Sequence, residues 1–323
     1  MISMRKYSVP AIVLVSITAI IAVIIAEHRS GLPGRRPANP YAYDVDEFRS
    51  VDTELVRWRE TRQVELDIAN PRAIAYAGGK FYLAAENELH VIGNDWERLL
   101  RATLPGTPTF LTAGDDGRIL VGLGTYMVMA CSNGEIFVQS EPVRTGSYLT
   151  SAAFYDGNIY VADAAARKVR IFNQRLEQTG EFSGDSGVSD IHGFIVPGGH
   201  FSLAVNSENE LWITNPGIHS LQNYTAAGRL RSDIRRSSFD IEGFSGCCNP
   251  VHFTFLPEGG FLTSEKGIIR IKVLKESGDL ESVVAPPEKF TGGLRAPAVA
   301  VDDEGRVLVL DFDRNMIRIF EPI

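Results

Sequence analysis

The 323-residue sequence has only 3 cysteines, 5 methionines and 3 tryptophans. Three cysteines are an odd number, which excludes a fully paired disulfide framework. Positive charge is also short. Lys+Arg number 32 against 40 Asp+Glu, a formal net charge of −8. An acidic chain lacks the basic footprint that non-specific nucleic-acid binding needs, so no nucleic-acid partner is expected. Motifs that carry familiar chemistry are missing too: there is no G-x-S-x-G, H-E-x-x-H, G-x-x-x-x-G-K-[ST] or C-x-x-C-H. With 44% hydrophobic and 22% charged residues, disordered and collagen-like classes are excluded.

A long apolar run occurs once. Residues 9–26, from Val9 to Ala26, carry no charge, and an uncharged run of this length suits a bilayer-spanning helix. An uncleaved signal anchor is expected, with a cleaved signal or a core helix as alternatives. Charge divides at the same place. Residues 1–36 hold Arg5, Lys6, Arg29, Arg35 and Arg36 against Glu27, a net of +4, and the rest of the chain carries −12. Basic residues flank the run on both sides, so orientation rests on the short N-terminal tail and the long body. The expectation is a cytoplasmic tail (1–8), a membrane anchor (9–26), a stalk rich in Gly and Pro (27–50) and an extracytoplasmic, periplasmic body (51–323).

The body is a repeat array. Residues 151–182 show the unit: an apolar strand, an Asp156-Gly157 turn, a strand ending at Asp163, a strand at Val169–Phe172 and a last strand near Phe182. Sliding it along the chain finds six second strands: Phe81–Ala85, Ile119–Leu123, Ile159–Asp163, Leu211–Asn215, Phe261–Glu265 and Val307–Asp311. Their ends step by 38, 40, 52, 50 and 46 residues. Four strands in roughly 40–50 residues define a propeller blade, so the fold class expected is all-β, a six-bladed β-propeller. The sixth unit ends after its third strand. The strand-like segment 55–66, ahead of the first repeat, is expected to complete it and leave no sheet edge open.

The unit Tyr160-Val161-Ala162-Asp163 with Val169-Arg170-Ile171-Phe172 resembles the NHL repeat of six-bladed propellers. Gly246-Cys247-Cys248-Asn249-Pro250 and Thr263-Ser264-Glu265-Lys266-Gly267 resemble motifs of a bacterial NHL-repeat subgroup. The resemblance covers about residues 52–323 and implies an exported bacterial protein; it assigns no activity. Ala85 and Leu123 depart from the acidic strand end of the pattern.

In such a blade the innermost strand starts on the face where the second strand ends. That face should collect the starts of the innermost strands, near Arg72, Thr109, Thr150, Ser202, His252 and Ala298, with His200 a position or two ahead of one of them. The second-strand ends Asp163, Asn215, Glu265 and Asp311 belong to the same face, as do Cys247, Cys248 and Asn249. Arg72, His252, Glu265, Lys266 and Asn249 are the ligand-binding candidates. Asp163, Asn215, Glu265 and Asp311 are candidates for holding a divalent cation such as Ca2+. Strand-end Asp and Asn also fix turns by bonding loop amides, and Glu265-Lys266 can form a surface ion pair. Cys247 and Cys248 are open to three readings: a rigid turn, a redox pair closing as a strained ring, or a ligand set with His252. Cys131 falls at a turn after a third strand.

Two functions follow. One is a membrane-anchored binding or scaffold module holding a protein or small ligand on this face. The other is a metal-dependent hydrolase of the propeller-lactonase kind, with the cation at the channel mouth acting as Lewis acid.

Overall fold

The computed structural model describes residues 13–23, 46–185, 193–292 and 295–323. Residues 13–23 form one helix. No helix among the described residues is long and apolar enough to cross a membrane. The remainder of the expected anchor, the tail 1–8 and residues 27–45 of the expected stalk lie outside the described residues.

The second unit, Asp46–Ile323, is built of six four-stranded antiparallel sheets. Its first strand, β1 (Trp58–Glu65), belongs to the last blade. Blade 1 is β2 (Pro71–Ala77), β3 (Lys80–Ala85), β4 (Glu88–Gly93) and β5 (Arg98–Thr103). Blade 2 is β6 (Phe110–Ala113), β7 (Arg118–Gly122), β8 (Met127–Cys131) and β9 (Ile136–Gln139). Blade 3 is β10 (Leu149–Tyr155), β11 (Asn158–Asp163), β12 (Lys168–Phe172) and β13 (Gln178–Phe182). Blade 4 is β14 (Leu203–Val205), β15 (Leu211–Asn215), β16 (Ser220–Tyr224) and β17 (Leu230–Arg235). Blade 5 is β18 (His252–Phe255), β19 (Phe261–Ser264), β20 (Ile271–Leu274) and β21 (Leu280–Ala285). Blade 6 is β22 (Ala298–Val301), β23 (Val307–Asp311) and β24 (Met316–Pro322), with β1 as its outer strand.

Local chemistry explains the hairpins. Tyr155 pairs with Asn158 across a two-residue loop in which Asp156 and Gly157 both have positive φ, 49° and 72°. Both signs match the turn that follows the right-handed twist of the strands, for which Asp-Gly is a preferred pair. The blades then stack through alternation. On β11, Ile159 and Val161 pack toward blade 2 with Phe110, Leu120 and Met127. Tyr160 and Ala162 of the same strand pack toward blade 4 with Leu203, Leu211 and Ile213. Successive side chains leave a strand on opposite faces, so a central strand buried on both faces reads as a continuous apolar run.

Six such clusters tie each blade to the next, and one of them joins Leu308, Leu310 and Ile317 of blade 6 to Phe81 and Leu83 of blade 1. Pairing of β1 with β24 runs from Trp58↔Pro322 to Glu65↔Met316. The ring is therefore closed by hydrogen bonds between segments about as far apart in sequence as the propeller allows. Small residues on the innermost strands, such as Ala73, Ala75, Ala152 and Ala298, leave a central channel of about 660 Å³ open between the blades.

Candidate functional site

The second-strand ends are structural, and one register position shows why. The third-strand residue opposite the position two before each strand end is His90, Val128, Arg170, Gln222, Lys272 or Arg318 in blades 1 to 6. In blade 3, Arg170 Nε donates to Asp163 Oδ2 at 2.8 Å and its Nη1 donates to Glu181 Oε2 at 2.9 Å. Blade 6 repeats this with Arg318, which binds Asp311 at 3.3 Å and Glu60 of β1 at 2.7 Å. Blade 4 replaces the ion pair by amides, Asn215 Nδ2 donating to Gln222 Oε1 at 3.3 Å. Burial alone would raise the Asp163 carboxyl. The amides of Tyr148 and Ala166 and the Arg170 guanidinium outweigh it and hold the pKa below the ordinary value.

Glu265 is fully buried. Its Oε2 accepts from Arg270 Nη2 at 2.8 Å and from the Ser245 amide at 3.2 Å, and its Oε1 lies 2.9 Å from Lys272 Nζ. The surface ion pair expected between Glu265 and Lys266 is therefore not formed: two other cations, both enclosed, take the carboxylate. Burial lowers the Lys272 ammonium to about 8, although Glu265 opposes that shift. The divalent-cation set expected from Asp163, Asn215, Glu265 and Asp311 does not assemble. Each sits in a separate blade with its oxygens already engaged by Arg, Lys, Gln or backbone donors. Among the described residues, no three His, Cys, Asp or Glu groups are placed to hold a metal ion.

The same cations anchor the segment 236–251 that leads into blade 5. Arg270 donates to the carbonyls of Phe239 and Gly243, and Lys272 to those of Ile241 and Gly243. Asn249, a ligand-binding candidate, is buried and works inside this loop. Its Nδ2 donates to the carbonyls of Ser245 and Lys266, while its Oδ1 accepts from the Lys266 amide at 3.0 Å. The Asn249–Pro250 peptide is cis. Asn249 and Glu265 thus hold the loop and offer no free atom to a ligand.

What remains at the channel mouth is cationic. Arg72 and His252 line the channel beside Thr109, Thr150, Ser202 and Ala298, the first turn of each innermost strand. Arg295 stands just ahead of β22; partial burial first, and then the Arg72 charge, lower its guanidinium from the ordinary value, while Asp313 opposes the shift. Arg295 also stacks over the Phe312 ring at 3.9 Å. Lys266 reaches the same neighbourhood, since its charge depresses His200 and His200 in turn depresses His252. Both imidazoles are pushed down to about 4, by burial first and these charges second, so both are neutral at pH 7.

Pairing elsewhere gives this cluster its meaning. Arg98, Arg101, Arg118, Arg170, Arg235, Arg236, Arg270, Arg306, Arg314 and Arg318 each contact a carboxylate. Among the described residues Arg72 and Arg295 contact none, nor do Arg57, Arg59, Arg62, Arg144, Arg167, Arg175, Arg229 and Arg231, but of these only Arg72 lines the channel. Arg72 lines the open channel, and Arg295 feels its charge, with Asp313 opposing that effect. Arg295 was not legible as a site residue, because its place depends on ring closure; its only sequence signal is a basic residue three positions before an innermost strand.

No family model matches the sequence, and no curated protein matches it either. Solved structures do. A streptogramin B lyase superposes with TM-score 0.57 at 12% identity, covering 82% of this chain and 98% of that one. The virginiamycin B lyase of Staphylococcus aureus gives 0.56 at 16% identity, with 82% and 89% covered. A protein of unknown function from Bacteroides caccae gives 0.52 at 17% identity, covering 72% and 83%. At such identities the likeness shows the fold, a six-bladed β-propeller.

Proposed function

We propose that this propeller is a binding module whose channel mouth captures a small carboxylate-bearing molecule. The observation that carries this reading is the unpaired couple Arg72 and Arg295. A guanidinium fork matches a carboxylate in two parallel hydrogen bonds, and an anion between the two groups relieves their mutual repulsion. Lys266 adds a third positive charge, while the neutral His200 and His252 add polar atoms without a further charge to desolvate. The channel walls below mix Ala, Thr and Ser with apolar residues such as Ile74, Phe110, Phe154 and Phe253, and Asp115 and Asp116 line it beyond the end of β6, so the anion is expected to stay at the Arg72 end. Kinship with NHL-repeat propellers, supported by the repeats around Asp163 and Val169, belongs to this reading. So does attachment to a membrane through the uncharged run 9–26, with the propeller on the extracytoplasmic side. Thermal unfolding in a panel of sodium salts at constant ionic strength tests the site: citrate and other polycarboxylates raise the melting temperature more than chloride does. Equal shifts in every salt count against it.

A second reading is favoured by the imidazoles. His200 and His252 have no hydrogen-bond partner among the described residues and are unprotonated at neutral pH, the state a general base requires. One of the structures matched is a catalytically inactive histidine-to-alanine variant of the virginiamycin B lyase with quinupristin (TM-score 0.56, 14% identity, 82% and 100% covered). In this reading a carboxylate held by Arg72 and Arg295 places a proton-bearing carbon over His252. Retained binding with no turnover of any bound carboxylate decides for the first reading.

A further inference from the structure

A cavity apart from the channel serves neither reading. It holds about 330 Å³ between blades 4 and 5. It lies at the far end of the strands from the channel mouth: β18 runs from His252, which lines the channel, to Phe255 in the cavity wall. The inner wall is aromatic. Trp212 and Phe261 are buried, with ring centroids 4.8 Å apart, and half-buried Phe255 stands 5.1 Å from Phe261. The rim is acidic. Glu208 and Glu210 come from the β14–β15 turn and Glu276 from the β20–β21 turn. Among the described residues no Lys, Arg or His lines the cavity, and none of the three carboxylates has an ion pair. The Glu210 carboxylate is fixed in place. Its Oε2 accepts from Asn206 Nδ2 at 3.0 Å and from Trp212 Nε1 at 3.3 Å, and the Glu210 amide donates to Asn206 Oδ1 at 2.8 Å. Glu276 rests against bare backbone, since a Cβ on Gly259 would stand 2.9 Å from its Oε1.

We propose that this cavity binds a small organic ammonium ion, its nitrogen at Glu210 and Glu276 and its apolar body against Phe255, Phe261 and Trp212. The proposal does not depend on the anion site. Charge complementarity selects a cation, because the rim carries only acids and no protein cation answers them. The wall selects an organic one. A metal ion such as Ca2+ needs about six to eight oxygen ligands, whereas here rings back the carboxylates. Among the described residues, no three His, Cys, Asp or Glu groups are placed to hold a metal. An alkylammonium ion is attracted to the face of an aromatic ring and buries its carbon against it, so both parts of the lining are used at once. Ligand cavities run from roughly 300 to 1,000 Å³, which makes this one suited to a small molecule. Glu208, exposed at the rim, adds to the field that draws a cation in.

Benzylammonium chloride is titrated calorimetrically into the full chain at pH 7 and constant ionic strength, with benzyl alcohol as the neutral counterpart. Saturable one-site binding of benzylammonium is expected, with benzyl alcohol at least about tenfold weaker. Glu210→Gln and Glu276→Gln remove charge at nearly constant size. Each should weaken binding about tenfold, the scale of one charge-assisted hydrogen bond. Phe255→Leu should cost about threefold through the lost ring face. Glu258→Gln, exposed on the neighbouring β18–β19 turn, should leave the affinity unchanged. Melting temperatures without ligand identify any variant that fails to fold, and the two glutamines can then be judged separately. No saturable binding, equal affinity for benzyl alcohol, or unchanged affinity in both folded glutamine variants overturns the proposal. So does competition by calcium chloride beyond that of sodium chloride at equal ionic strength, which would make the cavity a metal site.

Discussion

Lys272 Nζ lies 2.9 Å from Glu265 Oε1, and both side chains are fully buried. Arg270 shares the carboxylate, so one acid is divided between two enclosed cations that also hold the carbonyls of the 236–251 loop. Removing one partner from a buried pair leaves an uncompensated charge, which typically costs about 3–5 kcal/mol. Glu265→Ala should therefore lower the unfolding free energy from urea titration by that order, read as a lower midpoint at unchanged slope. It should also expose the loop to proteolysis near Phe244 before global unfolding. A midpoint within error of the unsubstituted protein would mean the cluster is not a clamp.

Acidification should destabilise the propeller in two steps. The first comes from His200 and His252, held at about 4 against an unfolded value of 6.5. Between those limits the unfolded chain binds protons that the folded chain refuses, so stability falls as pH drops from 6.5 toward 4. The second step belongs to Glu60, Asp163 and Glu265. Their folded pKa values are depressed, Glu60 chiefly by its hydrogen bond from Arg318. The stability these carboxylates contribute is complete above about pH 5 and is lost as pH falls through their folded values. Urea titrations from pH 7 to 3 check this, and His252→Gln should flatten only the upper step.

Citrate affinity should respond to pH in the opposite sense to stability. An anion near His252 favours the imidazolium, so binding takes up protons and tightens as pH falls from 7 toward 5.5. His200, Arg295 and, through His200, Lys266 oppose that protonation in the free protein. Calorimetric titration in two buffers of different ionisation enthalpy measures the proton uptake; buffer-independent heats contradict it.

Ring closure has its own test. Glu60 on β1 receives two hydrogen bonds from Arg318 on β24, at 2.8 and 2.7 Å, and Trp58 Nε1 donates to Ser282 Oγ at 3.1 Å. Trp58→Ala removes a large side chain packed between blades 5 and 6 and should cost about 3–5 kcal/mol. Its signature is faster amide exchange in β24 than in β12, which carries the same repeat position in an interior blade. Uniform loss of protection would place the closing strand on an equal footing with the others.

Much of this architecture could be read from the chain. The period-2 pattern of Tyr160-Val161-Ala162-Asp163 is both the strand and the interblade contact, because each face meets one neighbour. The closing role expected of 55–66 followed from a sixth unit one strand short, and the strand found there is Trp58–Glu65. The site was less legible. Asp163, Glu265 and Asp311 look alike as strand ends, and what consumes them is a residue seven positions later: Arg170, Lys272 and Arg318. That spacing was present in the sequence, but only register turns it into contact. Glu265 and Asn249 were drawn to the open face by their place in the chain, whereas the 236–251 insertion covers them. Arg295 comes within electrostatic reach of Arg72 across the first and last blades, which happens only once the ring closes.

Calorimetric titration of citrate into the full chain decides whether Arg72 and Arg295 form an anion site. Saturable one-site binding should weaken at least about tenfold in Arg72→Ala and in Arg295→Ala, as expected for loss of a charge-assisted hydrogen-bonding group. Binding should also weaken with added salt, while Arg229→Ala, at an exposed turn of blade 4, leaves it unchanged. Equal citrate affinity in all three variants would mean that Arg72 and Arg295 do not form the site.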